Sequence, residues 1–365
     1  MTKVLHVLGY MPVGGVGSLL LGLKKNINDD IEMDCLLFKS SKKSNFSEEW
    51  TRLGGKLKII PFELKVRNYF KIRKYINDFF KDSNYDIVHL HSPNLGFIIF
   101  PISKKHNVRI RILHSHSTIH SEKKIRNYRN SILVRLGNRK ASYRVACSQD
   151  AGDFLFSGKE FLFLPNGIDV KKFLYSNYTR KVMRENISED TKIIGMIGNL
   201  TPIKNQQFIL KLAPQLLKKN SNISFWFIGE GIDRNKLEEF VEQQQLSENV
   251  KFLGRRDDIS NLLQAIDIFV MPSEYEGFGI SAIEAQAAGL PCIVSKGVPN
   301  EIKISDYVKF ISLKDTEKWI NQLEFFLSLN ICREEINYQI EQSIYNIENS
   351  TQILKNYYLK LMEEN

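Results

Sequence analysis

Residues 267–297, DIFVMPSEYEGFGISAIEAQAAGLPCIVSKG, contain one complete strand–helix–strand unit. Apolar residues fill both ends of the segment and predict two buried strands, because a strand covered on both faces is apolar at nearly every position. Between them, Gly277 and Gly279 allow a sharp reversal, a helix is expected over 280–288, and Gly289 ends it. The segment therefore predicts a parallel α/β sheet.

The same alternation of short apolar runs and helical patterns continues along the whole chain. The pattern restarts once, after residue 190, which indicates two doubly wound sheets. The predicted strands are 3–9, 32–38, 56–62, 85–92, 109–116, 144–148 and 161–165 before the restart, and 192–199, 223–231, 249–255, 267–273, 291–297 and 308–312 after it.

The restart divides the 365 residues into two Rossmann-like domains, each long enough to bury a core of its own. We predict an N-terminal domain over 1–168 and a C-terminal domain over 169–345. A terminal helix over 346–365 could return to the N-terminal domain. Because ligands of such sheets bind beyond the carboxyl ends of the strands, we expect the two domains to face each other across a central cleft.

Composition predicts a cytoplasmic protein. No apolar run approaches the roughly 20 residues of a membrane-spanning helix, and the longest, 95–102, is interrupted by Pro101. The first residues lack the apolar core of a signal peptide. The four cysteines are scattered, without a C-x-x-C pair, as expected of free thiols in a reducing compartment.

Positive charge is concentrated in the N-terminal half, which carries 28 Lys and Arg against 15 Asp and Glu over residues 1–170. The densest run, 123–144, has eight basic residues and no acidic one. A basic amphipathic helix here would suit an anionic membrane surface, and a solvated helix face is the alternative. Nucleic acid is disfavoured because no stacking pattern or DNA-reading motif accompanies the charge. The apolar positions at near-helical spacing are Ile125, Tyr128, Ile132, Leu133 and Leu136.

Residues 9–23, GYMPVGGVGSLLLGL, place Gly14, Gly15 and Gly17 between a predicted strand and a predicted helix. Glycines at that position let backbone N–H groups approach an anion at the helix start. The dinucleotide fingerprint G-x-G-x-x-G fails because Leu20 holds its third position, and a Walker A loop fails because no Gly-Lys-Ser/Thr follows. The segment predicts a phosphate-binding loop or, equally, a tight turn.

Histidines are concentrated near the ends of two predicted strands. Residues two apart on a strand point to the same side, so two H-x-H pairs could form the zinc site of a metal hydrolase. Asp86 is the nearest acidic residue, and none stands at ligand spacing. The alternative is a set of polar strand-end residues, one or two of which serve in hydrogen bonding or proton transfer. The histidines are His89, His91, His114, His116 and His120.

Glu276 and Glu284 stand on either side of the predicted helix start at Gly279 and Ile280. Free N–H groups at a helix start stabilise an anion by about 0.3–1 kcal/mol per charge when exposed. The two carboxylates are acceptors for hydroxyl groups. A diphosphate carrying a sugar on each side would therefore fit this segment.

These segments resemble a known family. PSEYEGFGISAIEAQAAGLPCIVS (272–295) is similar to the E-x7-E signature of retaining glycosyltransferases of family 4, which have the GT-B fold of two Rossmann-like domains. The resemblance extends from residue 3 to about 312 and is closest to capsular and exopolysaccharide members. The other matching segments are MIGNLTPIKNQ (196–206) at the donor-phosphate loop, VKFLGRRDDISNLLQAIDIFVMPS (250–273) before the signature, and YDIVHLHS (85–92), RILHSHS (111–117), ACSQDAGDFLF (146–156) and LPNGIDVKKF (164–173) in the N-terminal and hinge regions.

The resemblance implies a role for each matching residue of the C-terminal domain. Glu276 would hold hydroxyl groups of the donor sugar near the anomeric carbon, and Glu284 would accept hydrogen bonds from the nucleotide ribose. Lys204 would neutralise charge that grows on the diphosphate. Arg255 would lie near the base. The backbone N–H groups that would cradle the diphosphate belong to Gly277, Phe278, Gly279 and Ile280.

In the N-terminal domain the resemblance implies three residues. Gly15 would lie near the donor phosphate, and His114 matches the family's strand-end histidine, a catalytic position. His116 is the second choice and a candidate contact for acceptor or sugar.

Asn199 departs from the family, which usually has an arginine at this position. One cationic contact to a leaving group typically contributes about 3–4 kcal/mol in the transition state. Lys204 and the helix start could suffice, Arg255 or Arg256 could substitute, or activity could be weak. We favour substitution.

The resemblance predicts transfer of a hexosyl or N-acetylhexosaminyl group from a UDP-linked sugar, with retention and without metal or cofactor. The expected acceptor is a lipid-linked oligosaccharide of bacterial capsule or exopolysaccharide synthesis, at the inner face of the plasma membrane. Anionic lipid and other polysaccharide-assembly enzymes are the expected partners. The alternatives are a GT-B sugar-nucleotide epimerase, the metal hydrolase, and a non-catalytic sugar-nucleotide-binding subunit.

Overall fold

The computed structural model describes residues 1–12, 15–27, 30–38, 45–116 and 124–365. Each of the thirteen predicted strands corresponds to an observed strand. The strands are β1 (Thr2–Leu8), β2 (Ile31–Phe38), β3 (Leu57–Ile60), β4 (Ile87–Leu90), β5 (Ile110–Ser115), β6 (Tyr143–Ala146), β7 (Leu162–Phe163), β8 (Lys192–Ile197), β9 (Ile223–Ile228), β10 (Val250–Gly254), β11 (Ile268–Met271), β12 (Cys292–Ser295) and β13 (Val308–Ile311).

Helices connect almost all of these strands. They are α1 (Gly15–Asn26), α2 (Phe46–Arg52), α3 (Tyr69–Lys81), α4 (Gly96–Lys105), α5 (Lys124–Asn138), α6 (Gln149–Phe156), α7 (Asn177–Met183), α8 (Gln206–Lys219), α9 (Arg234–Gln243), α10 (Ile259–Ala265), α11 (Ile280–Ala287), α12 (Thr316–Ser328), α13 (Arg333–Glu341) and α14 (Ile347–Glu364). Single turns of 3₁₀ helix lie at Val66–Asn68, Pro93–Leu95, Val170–Lys172 and Asn300–Ile302.

The chain forms two compact units. Unit 1 comprises Met1–Ile168 and Ile347–Asn365, and unit 2 comprises Asp169–Asn346. Each unit has one sheet whose strands all pair in parallel, in the order β3-β2-β1-β4-β5-β6-β7 in unit 1 and β10-β9-β8-β11-β12-β13 in unit 2. Both orders reverse direction once, between β1 and β4 and between β8 and β11, so the predicted pair of doubly wound sheets is confirmed. Such reversal points are where ligands of these sheets bind.

The sheet of unit 1 is covered on both faces, as its apolar strands require. One face packs against α3, α4 and α5, where the Cα atoms of Gly96 and Gly137 bring α4 and α5 into close contact. The other face packs against α1, α2 and α14. The terminal helix α14 lies against α1, and its Ile347 occupies the space that a side chain at Gly22 would need. The last helix of the chain is therefore part of the core of unit 1.

The core of unit 2 is formed by its strands with α8, α9 and α12. Helix α11 begins one residue after Gly279 and is followed by Gly289, whose φ of +72° is the left-handed conformation expected after a helix end. The strand–helix–strand interpretation of residues 267–297 is therefore confirmed. Among the residues that the structure describes, no helix combines the length and apolar character needed to cross a membrane.

Candidate functional site

A tight turn joins β11 to α11 at the carboxyl edge of the unit 2 sheet. Gly279 has φ +84°, and a Cβ there would lie 3.1 Å from the side chain of Val298, so glycine suits both the backbone and the space. Phe278 is buried and packs against the ring of Tyr345. The turn therefore fixes the start of α11, whose first N–H groups have no partners within the helix.

Glu276 lies in this turn and pairs with Lys204. The ammonium group of Lys204 donates to Oε1 of Glu276, and the hydroxyl group of Ser273 donates to the same oxygen at 3.2 Å. The Glu276 backbone N–H donates to the carbonyl of Gly297 at 2.9 Å. Only 11% of the Glu276 side chain is exposed, so the carboxylate is held in one position. The structure thus joins two predicted site residues that are 72 positions apart.

Lys204 belongs to a loop between β8 and α8 that is bound to the β11 turn. The backbone N–H of Glu274 donates to the carbonyl of Ile203 at 2.8 Å. The hydroxyl group of Ser281, in the first turn of α11, donates to the carbonyl of Ile197 at 3.3 Å. These contacts lie at the reversal point of the sheet, so the ends of β8 and β11 together form one site.

Glu284 lies within α11 and is half-buried. Desolvation by the surrounding protein raises the pKa of its carboxyl group to about 7. The group is therefore close to half-ionised at neutral pH. A positively charged hydrogen-bond donor beside Glu284 would favour the ionised carboxylate.

Asn199 and Arg255 are both exposed at the same edge. Asn199 follows β8, and its carbonyl accepts from the side chain of Gln206 at 3.0 Å. Arg255 follows β10, whose last residue accepts from the backbone N–H of Gly229. Arg256, the other predicted substitute for the missing arginine, is held by Asp258 through two hydrogen bonds of 2.7 and 2.6 Å. Of the two arginines, Arg255 has the less constrained guanidinium.

Unit 1 has a cavity of 320 Å³ at the carboxyl ends of β1, β4 and β5. Its walls combine polar groups with the apolar side chains of Leu8, Val134 and Leu155. The predicted site residue Gly15 is the first residue of α1, next to the lining residue Val16, whereas Gly14 lies outside the described residues. Its polar and aromatic lining includes Tyr10, His91, Asn94, Ser115, His116 and Asn130.

Of the predicted histidines, those that the structure describes lie in the last residues of β4 and β5 or directly after these strands. His114 lies in β5, one residue before the strand ends at Ser115, and its side chain is fully buried. His116 follows the strand, is half-buried and lines the cavity. His120 lies outside the described residues.

Five histidines form one buried group, which we call the histidine cluster. Hydrogen bonds join its rings edge to edge: His6 Nδ1 to His91 Nε2 at 2.9 Å, His91 Nδ1 to His116 Nε2 at 2.9 Å, and His89 Nε2 to His114 Nδ1 at 3.0 Å. Tyr358 of α14 places its hydroxyl group 2.5 Å from His89 Nδ1. Rings two apart on one strand stack, with centroids 4.5 Å apart in β4 and 3.9 Å apart at the end of β5.

The cluster is kept neutral by burial. Desolvation lowers the pKa of His6 to about 3 and that of His116 to about 4, and it holds those of the other three rings well below their usual range. Two groups of three rings have nitrogens within 4.8 Å of one another, a spacing that a metal ion could use. Asp86 is not a further ligand, because its carboxylate accepts from the backbone N–H of Lys3 at the opposite end of the strand.

Three residues that contact the predicted site residues were not predicted from the sequence. Ser273 was interpreted only as a strand end, although a hydroxyl group three residues before Glu276 is a signal for a local hydrogen bond. His6 could have been predicted, because β1 is the expected neighbour of β4 in a doubly wound sheet. In the structure His6 of β1 lies in register with His89 of β4. Tyr358 carried no signal, since its partner His89 is 269 positions away.

Comparison with known proteins identifies the family. The chain matches the family described as Glycosyl transferases group 1 over residues 178–343 and Glycosyltransferase Family 4 over residues 13–172. EpsF of Bacillus subtilis (strain 168), which is named a glycosyltransferase, is 31% identical over 313 residues that cover 82% of this chain and 80% of EpsF.

Two further relatives and one solved structure are similar over most of the chain. The capsular polysaccharide biosynthesis glycosyltransferase CapH of Staphylococcus aureus is 26% identical, covering 98% of this chain and 99% of CapH. The UDP-Gal:alpha-D-GlcNAc-diphosphoundecaprenol alpha-1,3-galactosyltransferase of Escherichia coli is 28% identical, covering 67% and 66%.

The solved structure is Anabaena Alr3699/HepE in complex with UDP. It superposes with a TM-score of 0.78 at 18% identity, over 99% of this chain and 100% of HepE. At that identity the likeness concerns the fold alone. Family models and relatives agree: the chain belongs to glycosyltransferase family 4 and has the GT-B fold.

Proposed function

We propose that this glycosyltransferase moves a hexosyl or N-acetylhexosaminyl group from a UDP-linked sugar to an acceptor hydroxyl, with retention of the anomeric configuration. The observation that carries the proposal is the Lys204–Glu276 ion pair beside the start of α11. A diphosphate there meets an ammonium group and helix N–H donors, while sugar hydroxyls meet a carboxylate. Glu284, further along the same helix, receives the ribose hydroxyls.

In this reaction the bond between the anomeric carbon and the diphosphate oxygen breaks, and the electron pair leaves with the nucleotide. The acceptor oxygen attaches on the same face, and its proton passes to the departing phosphate. Lys204 stabilises the growing charge, a contribution of about 3–4 kcal/mol for one well-placed donor. Since this charge stabilisation comes from the chain itself, we expect transfer to proceed without a metal ion or cofactor.

Asn199 stands where the family usually has an arginine, and Arg255 takes over the role of that arginine. Asn199 follows the end of β8 and Arg255 follows the end of β10, two strands away in the same parallel sheet, so both lie at the same edge. Its exposed side chain is long enough to turn towards a bound diphosphate, whereas Arg256 is held by Asp258.

The choice of donor is supported by two relatives. HepE was crystallised with UDP, and the Escherichia coli relative is named for a UDP-Gal donor and a diphosphoundecaprenol acceptor. By analogy, the acceptor here is a lipid-linked saccharide of capsule or exopolysaccharide synthesis. The cavity of unit 1 is the part of the fold that would receive its hydroxyl end, with His116 in its wall.

A lipid-linked acceptor requires access to a membrane, and unit 1 offers a suitable surface. On α5, Tyr128, Ile132 and Leu136 are 75%, 46% and 45% exposed and stand four residues apart. Exposed basic residues accompany them, namely Arg129, Arg135, Arg139 and Lys140. The distribution of charge along the chain predicts such a helix for anionic lipid. The side chain of Ile125 lies outside the described residues.

A second surface of the same kind lies at the start of α3, where Val66 and Phe70 are 88% and 80% exposed between Lys65, Arg67 and Lys71. Both surfaces combine apolar side chains with positive charge, the combination that binds an anionic interface. We therefore place the protein peripherally at the cytoplasmic face of the plasma membrane, beside other polysaccharide-assembly enzymes.

The test is a matched pair of substitutions in the full-length chain. Glu276→Gln should reduce sugar transfer at least a hundredfold while UDP still raises the melting temperature, because ligand binding to the native state persists. Glu274→Gln, at an exposed neighbour, should retain transfer. Full transfer by Glu276→Gln would refute the assignment. UDP binding without any transfer by the unsubstituted chain would instead favour a non-catalytic binding subunit.

A further inference from the structure

Unit 2 has a cavity of 410 Å³ at the amino edge of its sheet, whereas the candidate site lies at the carboxyl edge. Three neighbouring strands begin there, because Lys192 is the first residue of β8, and Asp267 and Pro291 directly precede β11 and β12. The volume is within the range of small-molecule sites. We call this space the basic cavity, and its walls include Tyr175, Arg180, Lys192, Asp267, Arg333 and Glu334.

Part of the positive charge around the basic cavity has a structural role. Arg180 of α7 and Arg184, which follows that helix, donate to Asp267 at 2.6 and 3.2 Å. Both also donate to carbonyl groups at the end of α10, where a helix leaves its last carbonyls without partners. Because one carboxylate faces two guanidinium groups, this arrangement already has an excess of one positive charge.

Arg333 adds a guanidinium group that has no carboxylate partner among the described residues. Its Nη1 and Nη2 donate to the carbonyls of Gln264 and Ile266, and its Cζ lies 4.9 Å from the centre of the Tyr175 ring. A guanidinium has five N–H groups, so three still lack an acceptor in the described part of the chain. Since Arg333 lines the basic cavity and is only 9% exposed, the missing acceptor belongs inside the cavity.

Lys192 supplies a second unpaired cation. Its half-buried side chain lines the cavity, and its ammonium group forms no ion pair with any described residue. Burial and the like charge of Arg180 lower the pKa of Arg333 to about 10, as expected where positive charge lacks compensation. Even when the exposed Glu334 is counted, the cavity has an excess of two positive charges. Partly desolvated charge of this kind is stabilised by a counter-charge.

We propose that the basic cavity binds a small phosphate monoester, with Arg333 and Lys192 as the donors to its phosphate group. A phosphate monoester carries close to two negative charges at neutral pH, which matches the excess, and its oxygens accept from a guanidinium fork. Inorganic phosphate is smaller than the cavity, whereas the organic part of a monoester meets the side chains of Asn177 and Asn330. This site is separate from the donor site, because the two lie at opposite ends of the strands.

Calorimetric titration of the full chain with glycerol 3-phosphate tests the site, at constant ionic strength and above the second phosphate pKa of about 6. Glycerol 3-phosphate should bind, inorganic phosphate should bind more weakly, and glycerol should not bind. Tighter binding of inorganic phosphate would refute the assignment to a monoester. Absence of binding by both anions would refute the site itself.

Lys192→Gln should weaken glycerol 3-phosphate binding about tenfold or more, the range of one charge-assisted hydrogen bond. Lys192→Arg should retain most of the affinity, because it keeps the charge. Lys181→Gln, at an exposed lysine of α7, is the matched control for general attraction to a basic surface and should leave the affinity unchanged. Equal weakening by both glutamine substitutions would overturn the proposal.

Lys204→Gln distinguishes the basic cavity from the donor site. It should weaken UDP binding and leave glycerol 3-phosphate binding unchanged, whereas Lys192→Gln should do the reverse. Persistent UDP binding by Lys192→Gln also shows that this variant is folded. Loss of glycerol 3-phosphate binding in Lys204→Gln alone would place the phosphate beside Glu276 and refute the basic cavity as its site. None of these outcomes depends on sugar transfer.

Discussion

Folding favours the protonated form of the Glu284 carboxyl group, whereas the proposed ligand binding favours its ionised form. Its folded pKa of about 7 lies above the ordinary value of 4.5 because burial disfavours the charged form. The folded protein therefore binds a proton more tightly than the unfolded chain does, and this group's contribution to stability is lost as pH rises from about 4.5 through 7. A ribose, in contrast, is held best by the carboxylate.

We expect UDP affinity to increase as pH rises from about 6 to 8, because Glu284 ionises over this range. Glu284→Gln should bind UDP more weakly, should lose this pH dependence, and should be more stable than the unsubstituted chain at pH 8. Calorimetric titrations at several pH values, with urea unfolding beside them, check both effects. Glu274→Gln serves as the exposed control. A Glu284→Gln variant that keeps the original pH dependence would contradict the ribose contact.

Only part of the candidate site could be predicted, because some of its contacts join residues that are far apart in the sequence. Glu276, Gly279 and Glu284 were predictable because one short segment determines their spacing. The ion pair between Lys204 and Glu276 depends on two loops meeting at the sheet edge, which no local pattern encodes. The burial of His114 depends on side chains from a neighbouring strand, such as His89 of β4, which the sequence of β5 alone does not show.

At the scale of elements, strands were predictable because a parallel sheet buried on both faces requires continuous apolar runs. Helix α5 was harder to interpret. Its apolar positions suggested an amphipathic helix. Among its described side chains, Val134 is buried, whereas Tyr128 and Ile132 face outwards, and Gly137 meets α4. A hydrophobic period shows that a helix has an apolar face but not what covers that face.

We expect the exposed face of α5 to bind anionic lipid. Replacement of Tyr128, Ile132 and Leu136 by serine should lower binding to phosphatidylglycerol vesicles about tenfold or more, because apolar contact with the interface is lost. Flotation with anionic and with neutral vesicles measures this. Tyr178→Ser, at an exposed tyrosine of unit 2, is the control. Equal binding of the unsubstituted chain to both kinds of vesicle would remove the electrostatic part of the argument.

At the scale of the whole molecule, the two units have buried ionisable groups of opposite character. Unit 1 contains the five histidines of the histidine cluster, which burial keeps neutral. Tyr358 contacts His89 and Asn166 lies beside His116. The positive charge of Lys24 adds to the effect of burial in lowering the pKa of His6. Unit 2 holds Glu284. The histidines take up protons in the unfolded chain below about pH 6.5 but not in the folded unit. Their contribution to stability is therefore lost as pH falls, the reverse of the Glu284 effect.

Between pH 7 and 5, unit 1 should therefore lose stability while unit 2 gains it. Each buried histidine contributes up to about 1.4 kcal/mol per pH unit, so the loss in unit 1 should be the larger change. Tryptophan fluorescence can separate the units, since Trp50 lies in unit 1 and Trp226 and Trp319 in unit 2. One variant should retain only Trp50, and the other only Trp226 and Trp319. When both are unfolded in urea across this pH range, the urea concentrations at their unfolding midpoints should move in opposite directions. Midpoints that move together would show that a group other than the histidine cluster and Glu284 determines the acid response.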